Sequence, residues 1–166
     1  SIYLGLTIAC ATLYYVAGMT AFDAIAHSFS TIAIGGFSTH NMSIGYYNNL
    51  YIETICIFFM FISAVNFILH YVSLSSKSLL CYLKDSEFMT YLLLIISFLI
   101  IFTIFITATG NSNIPFNEIL FQTVSFITTS GFTSTTFESW PSFIVTVLIF
   151  MSFVGACAGS TGGGLK

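Results

Sequence analysis

The sequence predicts an all-α integral membrane protein built as two tandem units, each a span, a short helix, a polar loop and a second span. Three observations carry this reading. The 166 residues are 57% hydrophobic and only 5% charged, with a mean hydropathy of +0.98, where soluble domains carry about 25% charged residues. Two stretches are near copies of each other: Ser30-Thr-Ile-Ala-Ile-Gly-Gly-Phe-Ser38 and Ser125-Phe-Ile-Thr-Thr-Ser-Gly-Phe-Thr133, 95 positions apart (36 to 131). Each copy is polar, bears glycine and lies between strongly apolar segments.

The elements follow in order. Ile2 to Met19 is apolar, interrupted only by Thr7, Thr12 and glycine, long enough for a hydrocarbon core of about 30 Å. Thr20 to Ala33 reads as a short helix capped near Thr20 with Asp23 in its first turn, and 35–49 as a polar, turn-rich loop. Leu50 to Leu74 reads as one long second span. Lys77, Lys84, Asp85 and Glu87 form a charge cluster in the linker 75–87. Phe88 to Thr109 is the third span, and 110–113 a turn. Pro115 opens a second short helix carrying Glu118, followed by the loop 128–136. Pro141 suits the first turn of a last span, which runs from Ser142 to about Ala158 and breaks into glycine. The boundaries are 1–74 for the first unit, 75–87 for the linker and 88–166 for the second unit. Asp23 matches Glu118 at the same offset, and an acidic group there complements the positive end of a helix dipole. Internal duplication is a common way to build a transport path around an axis.

Charge sets the expected topology. Lys77 and Lys84 place 75–87 in the cytoplasm. Both polar loops lack Lys and Arg and are expected outside, with Tyr46, Tyr47, Tyr51 and Trp140 in an outer aromatic belt. With three Lys and no Arg, the chain offers no basic surface to nucleic acid. Cys10, Cys56, Cys81 and Cys157 are scattered, with no metal-binding spacing. No nucleophile–base set or carboxylate pair suggests catalysis, so the chain reads as no enzyme, with no catalytic residue, no cofactor and no transition metal. The start at Ser1 and the stop at Lys166 read as those of an internal fragment.

The duplicated loops carry the chemistry. Non-helical backbone is tolerated at membrane depth where it is buried in protein or lines a water-filled path. A ring of backbone carbonyls can replace an ion's hydration shell, and turning carbonyls inward needs dihedrals that glycine adopts cheaply. Gly36 and Gly131 are the candidates, with Gly35 adding freedom and Ala33, Ile34, Thr128, Thr129 and Ser130 supplying further carbonyls. The short helices would aim their negative C-terminal ends at the ion. Neither loop contains a carboxylate, which favours carbonyl readout over a ring of acidic side chains.

The chain resembles the Trk/Ktr/HKT superfamily of potassium transporters, and within it the membrane subunits of bacterial Trk uptake systems. The residues that carry this are His27 to His40 with Ser43-Ile-Gly-Tyr46, then Thr128 to Thr133, then Gly155 to Lys166. The second loop reads Thr-Ser-Gly where Thr-Thr-Gly is a common form. The resemblance implies a potassium-channel-like fold of four span–pore helix–filter loop–span repeats, of which about two are present here. It implies potassium as the substrate, taken up across the bacterial inner membrane, with Ala33, Ile34, Gly35, Gly36, Thr128, Thr129, Ser130 and Gly131 as filter residues. It further implies that Gly159, Ser160, Thr161, Gly162, Gly163 and Gly164, with Lys166, form an intramembrane gating loop. The implied partners are membrane lipid, a second copy in a homodimer and a cytosolic nucleotide-binding regulatory subunit.

Other residues are weighed against plainer roles. The run 159–166 departs from a phosphate-binding loop, which needs Lys directly after the last glycine, whereas Leu165 intervenes. His27 and its counterpart Gln122 are expected to hydrogen-bond behind the filter, and His40 to be solvated. Asn66 and His70, four apart, are expected on one helical face making interhelical bonds, and Glu53 as an interfacial charge. Two other classes compete: a secondary cation transporter whose duplicated halves are inverted in the membrane, and a non-conducting scaffold, which leaves the duplicated glycine loops unexplained.

Overall fold

The computed structural model describes residues 2–109, 114–137 and 140–165, and the described residues are helical with no strand among them. In chain order the helices are α1 (Ile2–Val16), α2 (Ala21–Ile32), α3 (Leu50–Ser63), α4 (Phe67–Ser76), α5 (Leu80–Lys84), α6 (Ser86–Ala108), α7 (Phe116–Ile127) and α8 (Ser142–Val154), with a short 3-10 helix at Ser43–Tyr47. The expected turn at 110–113 and Lys166 lie outside the described residues.

Both short helices form where the sequence places them, and their ends explain why. The Asp23 amide donates to the Thr20 hydroxyl at 3.1 Å, capping α2. Pro115 sits in extended conformation immediately before α7, supplying the fixed φ a helix start needs. Each long helix buries one stripe at helical spacing: Thr7, Cys10 and Tyr14 on α1; Tyr91, Ile95, Phe102 and Ile106 on α6; Ile144, Leu148 and Met151 on α8. The other faces are equally apolar yet uncovered, as at Leu93, Ile96, Ile100 and Ile104 of α6. A helix apolar all round belongs to a large core or a membrane. Among the described helices α6 alone is long and apolar enough by itself to cross a bilayer, with mean hydropathy 2.7 over its best window. α7 is the most enclosed element, with Ile119, Phe121, Val124 and Ile127 all buried between α3, α6 and α8.

Three expected spans need correction. α1 ends at Val16, before Met19. α8 stops at Val154, because Gly155 takes a left-handed φ of 76°. The expected single span Leu50 to Leu74 is two helices, α3 and α4, meeting at 91°. The break has a local cause. Asn66 leaves the helical region and its side-chain oxygen accepts from the Ile68 amide at 2.9 Å, so the residue acts as an N-cap inside an apolar run. His70 then bonds back to the Ile62 carbonyl at 3.0 Å and to the Tyr82 hydroxyl at 2.7 Å. His70 therefore makes the interhelical bonds expected of it, from α4 to α3 and α5, whereas Asn66 caps α4 locally and shapes the bend.

Candidate functional site: two glycine loops over a glycine-rich turn

The loop after α2 and the loop after α7 have the same backbone. Ala33, Ile34 and Gly35 donate to the carbonyls of Phe29, Thr31 and Ser30; Thr128, Thr129 and Ser130 donate to those of Val124, Phe126 and Ser125. Every partner is shifted by the same 95 positions. The dihedrals agree too. Ile34 and Gly36 have φ of 52° and 69°, Thr129 and Gly131 of 67° and 80°, and the residue between each pair is not left-handed. Alternating hand along a chain turns successive carbonyls toward the same side. Gly36 and Gly131 take the left-handed φ the sequence expected of them and Gly35 does not, while Ile34 and Thr129, expected only to supply carbonyls, are left-handed as well. Left-handed φ is rare for a non-glycine residue and exceptional for a β-branched one, so no sequence signal marks those two.

The two loops touch. A Cβ on Gly36 would overlap the Ser130 carbonyl oxygen and lie 2.9 Å from its carbon. Above this contact, Gly45 donates to the Thr133 carbonyl at 3.1 Å and the Thr133 amide donates to the Ser43 hydroxyl at 3.2 Å. The loops after α2 and α7 thus lie side by side at one end of the fold. α2 and α7 present their C-terminal, partially negative ends to them.

The glycine-rich run folds directly beneath. Gly155 and Gly164 come together, with the Ala156 amide donating to the Gly163 carbonyl at 3.1 Å and Leu165 to Phe153 at 2.9 Å. This closed turn is stapled to both loops and to the α3–α4 bend. The Thr161 hydroxyl donates to the Ile32 carbonyl at 2.8 Å, and the Gly163 amide to the Thr129 hydroxyl at 2.8 Å. The Thr161 and Cys157 amides donate to the carbonyls of Ser63 and Ala64 at 3.3 and 3.0 Å, and Phe67 donates to Gly159 at 3.1 Å. A broken apolar helix must have its freed carbonyls satisfied by other groups, and here the glycine turn supplies the donors. Gly162 lies so close that a Cβ would meet the Thr128 carbonyl oxygen at 2.9 Å. Thr129, Gly131, Phe153 and Gly164 line one open cleft of about 470 Å³. Gly159 to Gly164 and the two loops therefore form one constellation.

The flanking polar residues correct several expectations. His27 does bond behind its loop, to Ser38 Oγ and the Asp23 carbonyl, both at 2.8 Å. Gln122 is fully buried but neither side-chain atom has a partner among the described residues. His40 is not simply solvated: it stacks on Tyr46 with ring centroids 3.7 Å apart and brings Nε2 within 3.5 Å of Asp23. The Thr39 hydroxyl, 2.6 Å from Asp23, holds that carboxyl down to about 2, with Thr20 and His40 adding to it and burial opposing. Glu53 is buried within the protein and accepts from the Asn117 side-chain amide at 3.2 Å. Trp140 is buried rather than belted, whereas Tyr46 and Tyr51 are exposed as expected.

Known proteins arrange their chains in the same way. The family model described as TrkH, cation transport protein, matches residues 1–166. The Trk system potassium uptake protein TrkH of Vibrio parahaemolyticus is 49% identical over 170 residues, and its counterpart in Escherichia coli strain K12 is 46% identical over 168. Each match covers 99% of this chain and 35% of the relative, so the chain spans about a third of their length. The crystal structure of the potassium transporter TrkH from Vibrio parahaemolyticus superposes with a TM-score of 0.94 at 48% identity, covering 98% of this chain and 36% of that one.

Proposed function

The chain belongs to the TrkH family of cation transport proteins, and from that premise we propose that it supplies two quarters of a potassium pore across a bacterial inner membrane. Residues 1–74 and 88–166 are two successive span–pore helix–filter–span repeats, joined by a cytoplasmic linker at 75–87. The carbonyls around Ile34–Gly36 and Thr129–Gly131 replace part of the water shell of a dehydrated potassium ion. The single observation that carries this reading is the matched pair of alternating-hand loops, touching at Gly36 and Ser130.

Uptake is passive through this filter. The turn Gly159–Gly164 stands below the filter as the gate, and its displacement opens the path. Lys166 lies outside the described residues and remains part of the gate on resemblance alone. A homodimer, and a cytosolic nucleotide-binding regulatory subunit acting on the gate, complete the uptake system. The side-by-side hydrogen bonds between 43–45 and 133 favour this over a secondary transporter with inverted halves, in which equivalent loops face opposite sides. Cysteine labelling at positions 45 and 134 from one side only supports the common orientation.

Rubidium and sodium uptake by the full-length protein in a potassium-uptake-deficient bacterium tests the filter. Gly36→Ala adds a side chain at φ 69° and drives it into the Ser130 carbonyl. Loss of rubidium preference over sodium is expected, and an unchanged preference would count against carbonyl selection at this loop.

A further inference from the structure

At the α3–α4 bend, α1, α5 and the start of α6 close around a cavity of about 400 Å³, within the roughly 300–1,000 Å³ of small-molecule sites. Its walls are apolar, with Leu6, Phe61, Val65, Leu74, Leu79 and Phe88 among them. The polar groups in the wall are already engaged. His70 uses both ring nitrogens, on Ile62 and Tyr82, and the Ser73 hydroxyl donates to the Ser78 carbonyl at 3.1 Å. The interior therefore suits hydrocarbon.

The rim has the opposite character. Lys77 lies between the lining residues Leu74 and Leu79, and Lys84 between Tyr82 and Phe88. Both are exposed, and neither forms an ion pair among the described residues. Of the nearby carboxylates, Asp85 accepts from the Phe88 amide at 2.7 Å and Glu87 from the Ala158 amide, and neither pairs with a lysine among the described residues. α4 turns 91° away from α3, so with α3 crossing a bilayer α4 lies along its surface.

A hydrocarbon-lined cavity whose lining segments also carry two exposed lysines, unpaired among the described residues, complements one class of molecule. We propose that an anionic phospholipid seats an acyl chain here and its phosphate against Lys77 and Lys84. Basic pockets between membrane helices on the cytoplasmic side hold lipid head groups in this way. The site bears on the gate, because His70 ties the cavity wall to Ile62, one residue before the Ser63 and Ala64 carbonyls that hold the glycine turn. The inference rests on the membrane reading above.

The test is native mass spectrometry of the purified full-length protein titrated with phosphatidylglycerol or phosphatidylcholine, alongside rubidium uptake in liposomes. The variants are Lys77→Gln with Lys84→Gln, and Leu79→Trp. Leu79 lines the cavity and is 78% exposed, so a tryptophan is accommodated there without disturbing the fold and is expected to obstruct the opening. The lysine pair variant is expected to lose preference for phosphatidylglycerol by about fivefold per lysine, and Leu79→Trp to retain one lipid fewer of either kind. An unchanged preference in the first, or an unchanged count in the second, overturns the proposal; the second result also covers a cavity filled by another segment of the full-length chain. Uptake separates the two readings. Normal rubidium flux with unaltered lipid binding defeats the lipid site alone, whereas absent flux from the parent defeats the transport reading and leaves the lipid count interpretable.

Discussion

Thr161→Val tests whether the glycine turn is a gate held shut by named hydrogen bonds. The Thr161 hydroxyl donates to the Ile32 carbonyl at 2.8 Å, with the Ser63 carbonyl at 3.2 Å sharing it. Valine keeps the shape and removes the donor. The Thr161 amide still bonds Ser63, but the Ile32 carbonyl at the end of α2, on a fully buried residue, loses this partner. Leaving a buried acceptor unpaired costs about 1–3 kcal/mol. The cost falls on the docked turn alone, since a displaced turn lets water reach the carbonyl. The docked-to-displaced ratio should then fall about 5- to 150-fold. Rubidium uptake by the full-length protein, at matched amounts in the membrane, should rise at least about fivefold. Thr161→Ser, which restores the hydroxyl, should return it to the parent level. Rubidium preference over sodium should persist in both, because Ile34 and Gly36 are untouched. Parent-level uptake in Thr161→Val, or a serine variant as altered as the valine one, would refute the argument.

Two further outcomes follow from the same geometry. Asn66→Ala removes the cap that starts α4 and should lower stability by about 0.5–2 kcal/mol, read as a lower unfolding midpoint in detergent; an unchanged midpoint would mean the bend is held by the glycine turn alone. Asp23 titrates near 2 in the fold against an ordinary 3.8, so its contribution is complete above 3.8 and is lost as pH falls through 2. Thr39→Val removes the largest cause of that depression, so the variant should be less stable at neutral pH and lose less stability than the parent as pH falls from 3.8 to 2, and equal losses in the two would contradict this.

What the sequence made legible was the period and the punctuation. α2, α6 and α7 fall within two residues of expectation: Thr20 and Pro115 are chemically suited to start helices, and α6 was legible from its unbroken apolar run, although its N-cap, Asp85, was read only as part of a charge cluster. The broken second span was not legible. A hydropathy pattern averages over single residues, and Leu50 to Leu74 is apolar on average despite Glu53, Asn66 and His70. The cue was Asn66, a strong N-cap residue in the middle of the run, but a cap breaks a helix only if something else accepts the freed backbone. Here that something is the turn Cys157–Thr161, about 90 residues away in sequence. The left-handed Ile34 and Thr129 were hidden for a related reason: their strained dihedrals are imposed by the loops they sit in, not preferred by their side chains.

The two loops share a backbone without sharing its support, and this asymmetry bears on how the site works. In the first loop the brace comes from the helix residue at 27: His27 bonds Ser38, while Ser30 Oγ is buried without a partner among the described residues. In the second the roles are exchanged. Ser125, the counterpart of Ser30, donates to the Phe132 carbonyl at 2.7 Å, while Gln122, the counterpart of His27, is unpartnered. The second loop is pinned further by the Ser130 hydroxyl, 2.9 Å from Met60 Sδ on α3. The first loop instead continues through His27 and the Asp23 carbonyl to Thr39 and His40. The Phe132 carbonyl is therefore held by an internal serine, whereas the first loop is braced through the Ser38 hydroxyl and an outer polar network. His27 also stacks on Phe132 of the second loop at 6.3 Å, so a change at His27 bears on both loops, whereas a change at Asp23 or His40 should reach the first loop first, a separation that duplicated glycines alone could not have revealed.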